Sequence, residues 1–333
     1  MPNYEGYLDT CLQSRVAGWA VADDEPATVS VYINDTLVGV IACDQERADV
    51  AAIGRPAKSG FIFWFKEPLG HEDIVDVRFL GGPALVNSPS REHFNRMRKI
   101  TYGILPDGRG LEFGALDKPT LYKSQYNVRY VDHASTDELR RKYKDHEANV
   151  TLALVQEVDF VWSASLLKVI VGDGWDYCIA SHVIEHIADP IGWLAELTSI
   201  LNKGGRINLA VPEQTRTFDC RRSLTTPAQL LDAWMRKLDR PSFGQIFDHC
   251  VGIHHSGSPE PDAIMRTQEA FGIARRAECS KAYMDVHCHV WTHHSFLFCW
   301  EVISRLDILP LRLDASWPAE DKQGEFIVSL VRE

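Results

Sequence analysis

Over about the first 85 residues, short apolar runs alternate with turn residues, and no stretch carries the period of about 3.6 that an amphipathic helix needs. Val29-Ser30-Val31-Tyr32-Ile33 and Leu37-Val38-Gly39-Val40-Ile41 flank Asn34-Asp35, a spacing that predicts a hairpin. Gly60 to Phe65 and Ile74 to Leu80, the second closed by Gly81-Gly82-Pro83, predict further short strands. Short strands separated by regular turns predict an all-β sandwich over 1–88. Asn87-Ser88-Pro89-Ser90 reads as a linker, and beyond it the pattern changes. Apolar strands ending at Phe113, Asp132, Trp162, Ser181 and Pro212 now alternate with longer helical stretches, as in a parallel sheet with crossover helices. Within 89–333, Asp189 suits a helix N-cap and Pro190 the first turn, Ile191, Leu194, Leu197 and Leu201 form one apolar face, and Lys203-Gly204-Gly205 predicts the helix end.

A length of 333 residues agrees with two domains. Hydrophobic content of 45% and charged content of 24% are those of a soluble globular chain, and a net charge of −11 argues against general nucleic-acid binding. The start has no basic region followed by an apolar run, which predicts no signal peptide, and no apolar stretch is long enough to span a bilayer. Eight scattered cysteines with no CxxC pair predict reduced thiols in a cytoplasmic protein.

Gly6-Tyr7-Leu8-Asp9, Gly18-Trp19-Ala20, Arg47 with Asp49, and Gly60-Phe61 resemble an accessory β-domain attached to bacterial glycosyltransferases and polysaccharide-processing enzymes. Trp19, Phe61 and Trp64 are core residues on the plain reading and a sugar-stacking platform on the other.

Asp176 through Pro212, with Ala180-Ser181-His182-Val183-Ile184-Glu185-His186, Asp189-Pro190 and Leu201-Asn202-Lys203-Gly204-Gly205-Arg206, resembles the central block of class I S-adenosylmethionine-dependent methyltransferases. The resemblance implies a Rossmann-like α/β fold from about residue 104 to 333, with Leu309 to Leu313 and Glu325 to Val331 as the final antiparallel pair. It also implies site residues. Glu112 and Gly114 would line the methionine end of S-adenosyl-L-methionine, Asp132 would hold the ribose, and Asp159 would approach the adenine amino group. Ser181 and His182 would lie beside the sulfonium. The first loop, Gly114-Ala115-Leu116-Asp117-Lys118-Pro119, departs from the family's glycine-x-glycine pattern. Glu112, Asp132 and Asp159 also read as ordinary hydrated strand-end carboxylates.

His182, Glu185 and His186 form H-x-x-E-H, whose three side chains would share one face of a helical turn. The motif is formally that of inverted-zincin proteases, but here it follows a strand and is cut by Asp189-Pro190. It is also similar to the E-x-x-E-H of some ubiquinone-pathway and small-RNA O-methyltransferases. That likeness implies a divalent metal, Mg²⁺, Mn²⁺ or Zn²⁺, on His182, Glu185, His186 and a later His249, with His182 favouring the softer ions. On the plain reading Glu185 and His186 cap the next helix.

An insertion over about 213–300 would roof the acceptor site, because open α/β sheets bind ligands beyond their carboxyl ends. On a strand, His287 and His289 would share one face, either as ligands or as ordinary polar residues. Asp132-His133, the run from Ser181 to His186, Thr217-Phe218-Asp219 with Arg221-Arg222, and Asp285-Val286-His287 resemble bacterial methyltransferase-domain proteins found with glycan and surface-polysaccharide enzymes. The implied activity is methyl transfer to an oxygen of a carbohydrate, glycan or related small molecule, with His182 or His249 as general base. The rival is a catalytically inactive methyltransferase-like module that scaffolds a glycan complex.

Overall fold

The computed structural model describes residues 2–70, 73–90, 92–105, 107–144, 150–163, 166–253, 263–320 and 323–333. The chain divides into two compact units, Met1–Lys99 and Ile100–Glu333. The first contains β1 (Tyr4–Cys11), β2 (Arg15–Ala22), β3 (Glu25–Pro26), β4 (Thr28–Ile33), β5 (Thr36–Ala42), β6 (Gln45–Glu46), α1 (Ala48–Ala52), β7 (Lys58–Trp64) and β8 (Val75–Phe79), with most of α2 (Glu92–Ile100).

The expected hairpin is β4–β5. Asn34 and Asp35 at its tip both take left-handed backbone angles, φ 49° and 64°, which a tight turn matched to strand twist requires. Two antiparallel sheets result, one ordered β1-β2-β7-β6 with β3 on β2, the other β5-β4-β8. Their inward residues meet in one apolar cluster: Val16 and Phe61 come from the first sheet, and Val29, Val31, Val75 and Val77 from the second. Trp19 is buried against Val21 and Val50, whereas Trp64 is exposed.

The second unit contains β9 (Gly110–Phe113), β10 (Val128–Asp132), α3 (Thr136–Lys142), β11 (Phe160–Val161), α4 (Leu167–Val171), β12 (Trp175–Ser181), α5 (Pro190–Ile200), β13 (Leu201–Pro212), α6 (Pro227–Arg236), α7 (Phe243–Gly252), α8 (Ala263–Ser280), α9 (His293–Arg305), β14 (Leu311–Trp317) and β15 (Glu325–Arg332). The sheet order is β11-β10-β9-β12-β13-β15-β14. The first five strands are parallel, and β15 runs antiparallel to both of its neighbours. This is the mostly parallel, Rossmann-like arrangement expected of a class I methyltransferase sheet. Chain order reverses between β9 and β12, and such a switch point opens a crevice at the carboxyl ends of the two strands.

Leu111, Cys178, Ile207, Leu209 and Val328 of the sheet are fully buried with Leu194, Leu197 and Ile200 of α5 and Cys299 and Ile303 of α9. Asp189 caps α5 by accepting from the Gly192 N–H at 2.9 Å, with Pro190 at the first position. The helix stops at Ile200, earlier than Lys203-Gly204-Gly205 suggested. Leu201 already pairs with Trp175, and Gly204, at φ 78°, forms part of an irregularity inside β13. Among the described residues, no helix is long and apolar enough to cross a membrane.

Asn208, in the middle of β13 and fully buried, donates to the carbonyls of Ile100 (2.8 Å) and Tyr102 (3.1 Å). Asn208→Ala removes the donor and strands two carbonyls. The expected loss of unfolding free energy is about 1–3 kcal/mol, read as a lower denaturant midpoint. An unchanged midpoint would show that those carbonyls find other donors.

Candidate functional site

The crevice at the switch point is bounded by the residues after β9, β10 and β12. Gly114 follows β9 at φ 68°, and its N–H donates to Val131 O at 3.0 Å. A Cβ at Gly114 would stand 2.9 Å from Val183 Cγ2 on the far side of the switch point, so only glycine fits. Asp132 ends β10, with its side chain 9% exposed; one carboxylate oxygen accepts from the His133 N–H and faces His133 Nδ1, both at 2.7 Å. Ser181 ends β12. His182 follows in a left-handed conformation, φ 56°, which is costly for a residue with a Cβ and is held by its N–H bond to Ala210 O at 2.9 Å.

Two of the expected cofactor residues are held by partners within the protein. Asp159 stands just before β11, near the strand start where the sequence put it. Its carboxylate accepts from the Tyr130 N–H at 2.7 Å and pairs with Lys123 at 2.7 Å. Glu112 is 1% exposed and accepts from the N–H groups of Thr120 (2.5 Å) and Leu121 (2.9 Å). Those two residues belong to the crossover from β9 to β10, which contains no helix. Ala115, Asp117, Thr120, Leu121 and Tyr126 pack down in place of one. Glu112 therefore fixes the crevice floor from beneath.

The H-x-x-E-H segment does not lie on an α-helix. Ile184–His186 forms a short 3₁₀ turn, and left-handed His182 stands outside it. His182 Nε2 instead lies 2.8 Å from Glu325 Oε2 at the start of β15, and its Nδ1 is 3.8 Å from Glu185 Oε1. Glu185 and His186 meet a third residue, His287: one potential ligand atom from each lies within 4.8 Å of the other two. Residues 282–290 form no strand, and the two histidines meet different partners: His287 Nδ1 faces Asp219. His289 is buried against Ala188 O (3.2 Å) and Gln245 Nε2 (3.3 Å).

Carboxylates back both cluster histidines. His287 Nδ1 lies 2.5 Å from Asp219, and His186 Nδ1 lies 2.9 Å from Asp285. Arg222, 1% exposed in its side chain, binds Asp219 at 2.8 Å, Asp248 at 2.7 Å and the His287 carbonyl at 2.9 Å. His249 is held beside the cluster, its Nδ1 accepting from the His287 N–H at 3.3 Å.

Charge and burial tune these groups separately. Burial works against protonation of His186, but its contact with Asp285 and the charges of Glu185 and Asp285 win, so its pKa is raised. The His186 contact holds Asp285 well below the usual carboxylate range against the effect of burial. Burial raises the Asp219 carboxyl, and the stronger combined pull of His287 and Arg222 brings it down. Burial first, then the Arg222 and His287 charges, push His249 down to about 4, so its imidazole is neutral near pH 7.

Asp219, Arg222, Asp285, His287 and Glu325 complete an arrangement that spacing within H-x-x-E-H could not reveal. The available signal was titratable residues close together in two short segments, Thr217 to Arg222 and Asp285 to His289.

No family model matches the chain, and no curated protein matches it. Among solved structures it is similar to an S-adenosylmethionine-dependent methyltransferase from Mesorhizobium loti, at 11% identity and TM-score 0.37, over 72% of this chain and 97% of that one. A putative methyltransferase of the same kind from Listeria monocytogenes gives 12% identity and TM-score 0.34, over 72% and 97%. A structure described as putative zinc-dependent alcohol dehydrogenases from Rhodobacter sphaeroides gives 11% and 0.35, over 72% and 90%. Likeness at this level does not separate one chemistry from another, and the functional reading rests on geometry.

Arg222→Ala would leave Asp219 buried without its guanidinium and is expected to destabilise the second unit by about 3–5 kcal/mol. Asp248 is 52% exposed in its side chain, so Asp248→Ala should cost no more than about 1 kcal/mol. Equal losses in chemical denaturation would contradict this ranking.

Proposed function

We propose that the second unit is an S-adenosyl-L-methionine-dependent methyltransferase acting on a hydroxyl of a carbohydrate, glycan or related small molecule. The observation that carries the reading is the switch-point crevice itself. Parallel β9, β10 and β12 end at one edge, and the chain turns there on Gly114, with no room for a Cβ beside Val183.

The backbone at Gly114 lets a ligand approach closely, and Ser181 and His182 face it across the switch point. Asp132 offers carboxylate oxygens at the distance along the chain where such folds bind ribose hydroxyls. When bound, the cofactor supplies an electrophilic methyl group on a sulfonium. Holding an acceptor oxygen in line with that methyl group contributes much of the barrier reduction. His182, whose Nε2 lies 2.8 Å from Glu325, would take the hydroxyl proton as transfer proceeds. A sugar acceptor is supported by a cavity of about 790 Å³ between α6 and α7, whose lining includes Thr225, Gln229, Asp232, Arg240, Gln245 and Asp248. Such a wall offers hydrogen bonds to a ligand rich in hydroxyls.

One observation favours the rival, a module without catalysis. The helix-free crossover after β9 supplies no helix N-terminus to the crevice. Binding of S-adenosylhomocysteine separates the two readings. The wild type is expected to bind it, Gly114→Ala to lose binding, with circular dichroism reporting whether the turn still folds, and Asp132→Ala to bind more weakly by about 1.5–3 kcal/mol in calorimetry. His182→Gln should keep cofactor affinity and lose turnover. A wild type with no measurable affinity would leave the scaffold reading standing.

A further inference from the structure

We infer that Glu185, His186 and His287 bind one divalent transition-metal ion, with His287 in the ligand position that the sequence pattern had given to His182 and His249. The inference does not rest on methyl transfer, since the donor set is assembled whatever reaction the crevice performs.

The first observation is Glu185. Its side chain is 2% exposed, and neither carboxylate oxygen has a hydrogen-bond partner. A buried carboxylate with no donor is strongly disfavoured unless a cation answers it. The nearest imidazole nitrogens, His182 Nδ1 at 3.8 Å and His186 Nε2 at 3.9 Å, are too far away to donate. For His186 that gap is the one expected of two ligands sharing an ion, each about 2.0–2.2 Å from it.

The second observation is the outer layer. His287 turns Nδ1 toward Asp219 at 2.5 Å, leaving Nε2 as the atom with a free lone pair, and His186 Nδ1 lies 2.9 Å from Asp285 as an ion pair without hydrogen-bond geometry. The rings stand at 85° with centroids 4.6 Å apart. Each backing carboxylate is itself held, Asp219 by Arg222 at 2.8 Å and Asp285 by Lys142 at 3.0 Å. Orientation of this kind fixes the tautomer and strengthens imidazole as a ligand.

The third observation is the backbone. The Glu185 carbonyl accepts from the N–H groups of Cys288 (2.6 Å) and His289 (3.1 Å). The turn carrying two ligands is thereby bonded to the segment carrying the third, so the triad is preorganised before any ion enters. Neither His182 nor His249 joins the group whose donor atoms all lie within 4.8 Å of one another; His249 Nδ1 accepts from the His287 N–H instead.

Two imidazoles and one carboxylate suit Zn²⁺, Mn²⁺ or Fe²⁺ better than Mg²⁺ or Ca²⁺, which prefer all-oxygen shells. Three protein ligands also leave coordination positions open for water or an acceptor oxygen.

The test uses the full chain, stripped with chelator and titrated with Co²⁺ by absorption and with Zn²⁺ by calorimetry. One ion per chain is expected, with visible bands of a nitrogen-oxygen Co²⁺ site. His287→Ala should abolish stoichiometric binding, and Asp219→Asn should weaken it by about 10–100-fold. His249→Ala should leave the stoichiometry at one. Glu185→Gln provides a control for folding. Without metal it should be at least as stable as wild type, because it removes the unanswered charge, and Zn²⁺ should raise the Tm of wild type alone. A stripped wild type that takes up neither ion, or binding that survives His287→Ala, would overturn the assignment.

Discussion

The second unit depends on one main-chain junction. The Glu185 carbonyl, just beyond β12, receives two N–H groups from Cys288 and His289, far along the chain. Two further main-chain bonds act with it, Gln214 N–H to Trp291 O and Thr225 N–H to Val290 O, both at 2.9 Å. With these bonds, the 286–291 run is pinned against the carboxyl edge, and Asp219, Arg222 and Asp248 follow because Arg222 binds the His287 carbonyl. Buried backbone groups must find partners, and here that requirement organises the polar centre.

That centre has a consistent electrostatic logic. Asp219 and Asp285 face cationic partners on one side and an imidazole on the other, which holds both carboxyls below their ordinary range, Asp219 despite its burial. His249 and His289 are buried without a carboxylate contact and are driven toward the neutral form, each to about 4. Histidines within one small region are thus divided between those that carry backing carboxylates and those that fill space as neutral rings. Sequence spacing does not distinguish the two sets, because the carboxylates that sort them come from other segments.

Much of the architecture was legible in the sequence. The Asn34-Asp35 hairpin and the Asp189-Pro190 helix start are local signals, and the run from β12 to β13 is one contiguous stretch, Trp175 to Pro212. What spacing left unread shares one cause. The partners of Glu112 and Asp159, the N–H groups of Thr120 and Leu121 and the Lys123 ammonium, come from a loop whose path no periodicity announces. H-x-x-E-H looked helical by spacing, whereas the left-handed turn at His182 is set by how the chain must leave a strand wedged between β9 and β13. His287 could be singled out as polar within an apolar run, but its partners became visible only once the chain had folded.

The helix-free crossover after β9 has a consequence for how substitutions are tolerated. A helix carries its own hydrogen bonds, whereas this loop takes part of its shape from the sheet: the Thr120 and Leu121 N–H groups donate to Glu112, and the Tyr130 hydroxyl donates to Leu121 O at 2.7 Å. A change at Glu112 or Tyr130 would therefore be felt in the course of the chain after Gly114 and not only in the packing of the strands.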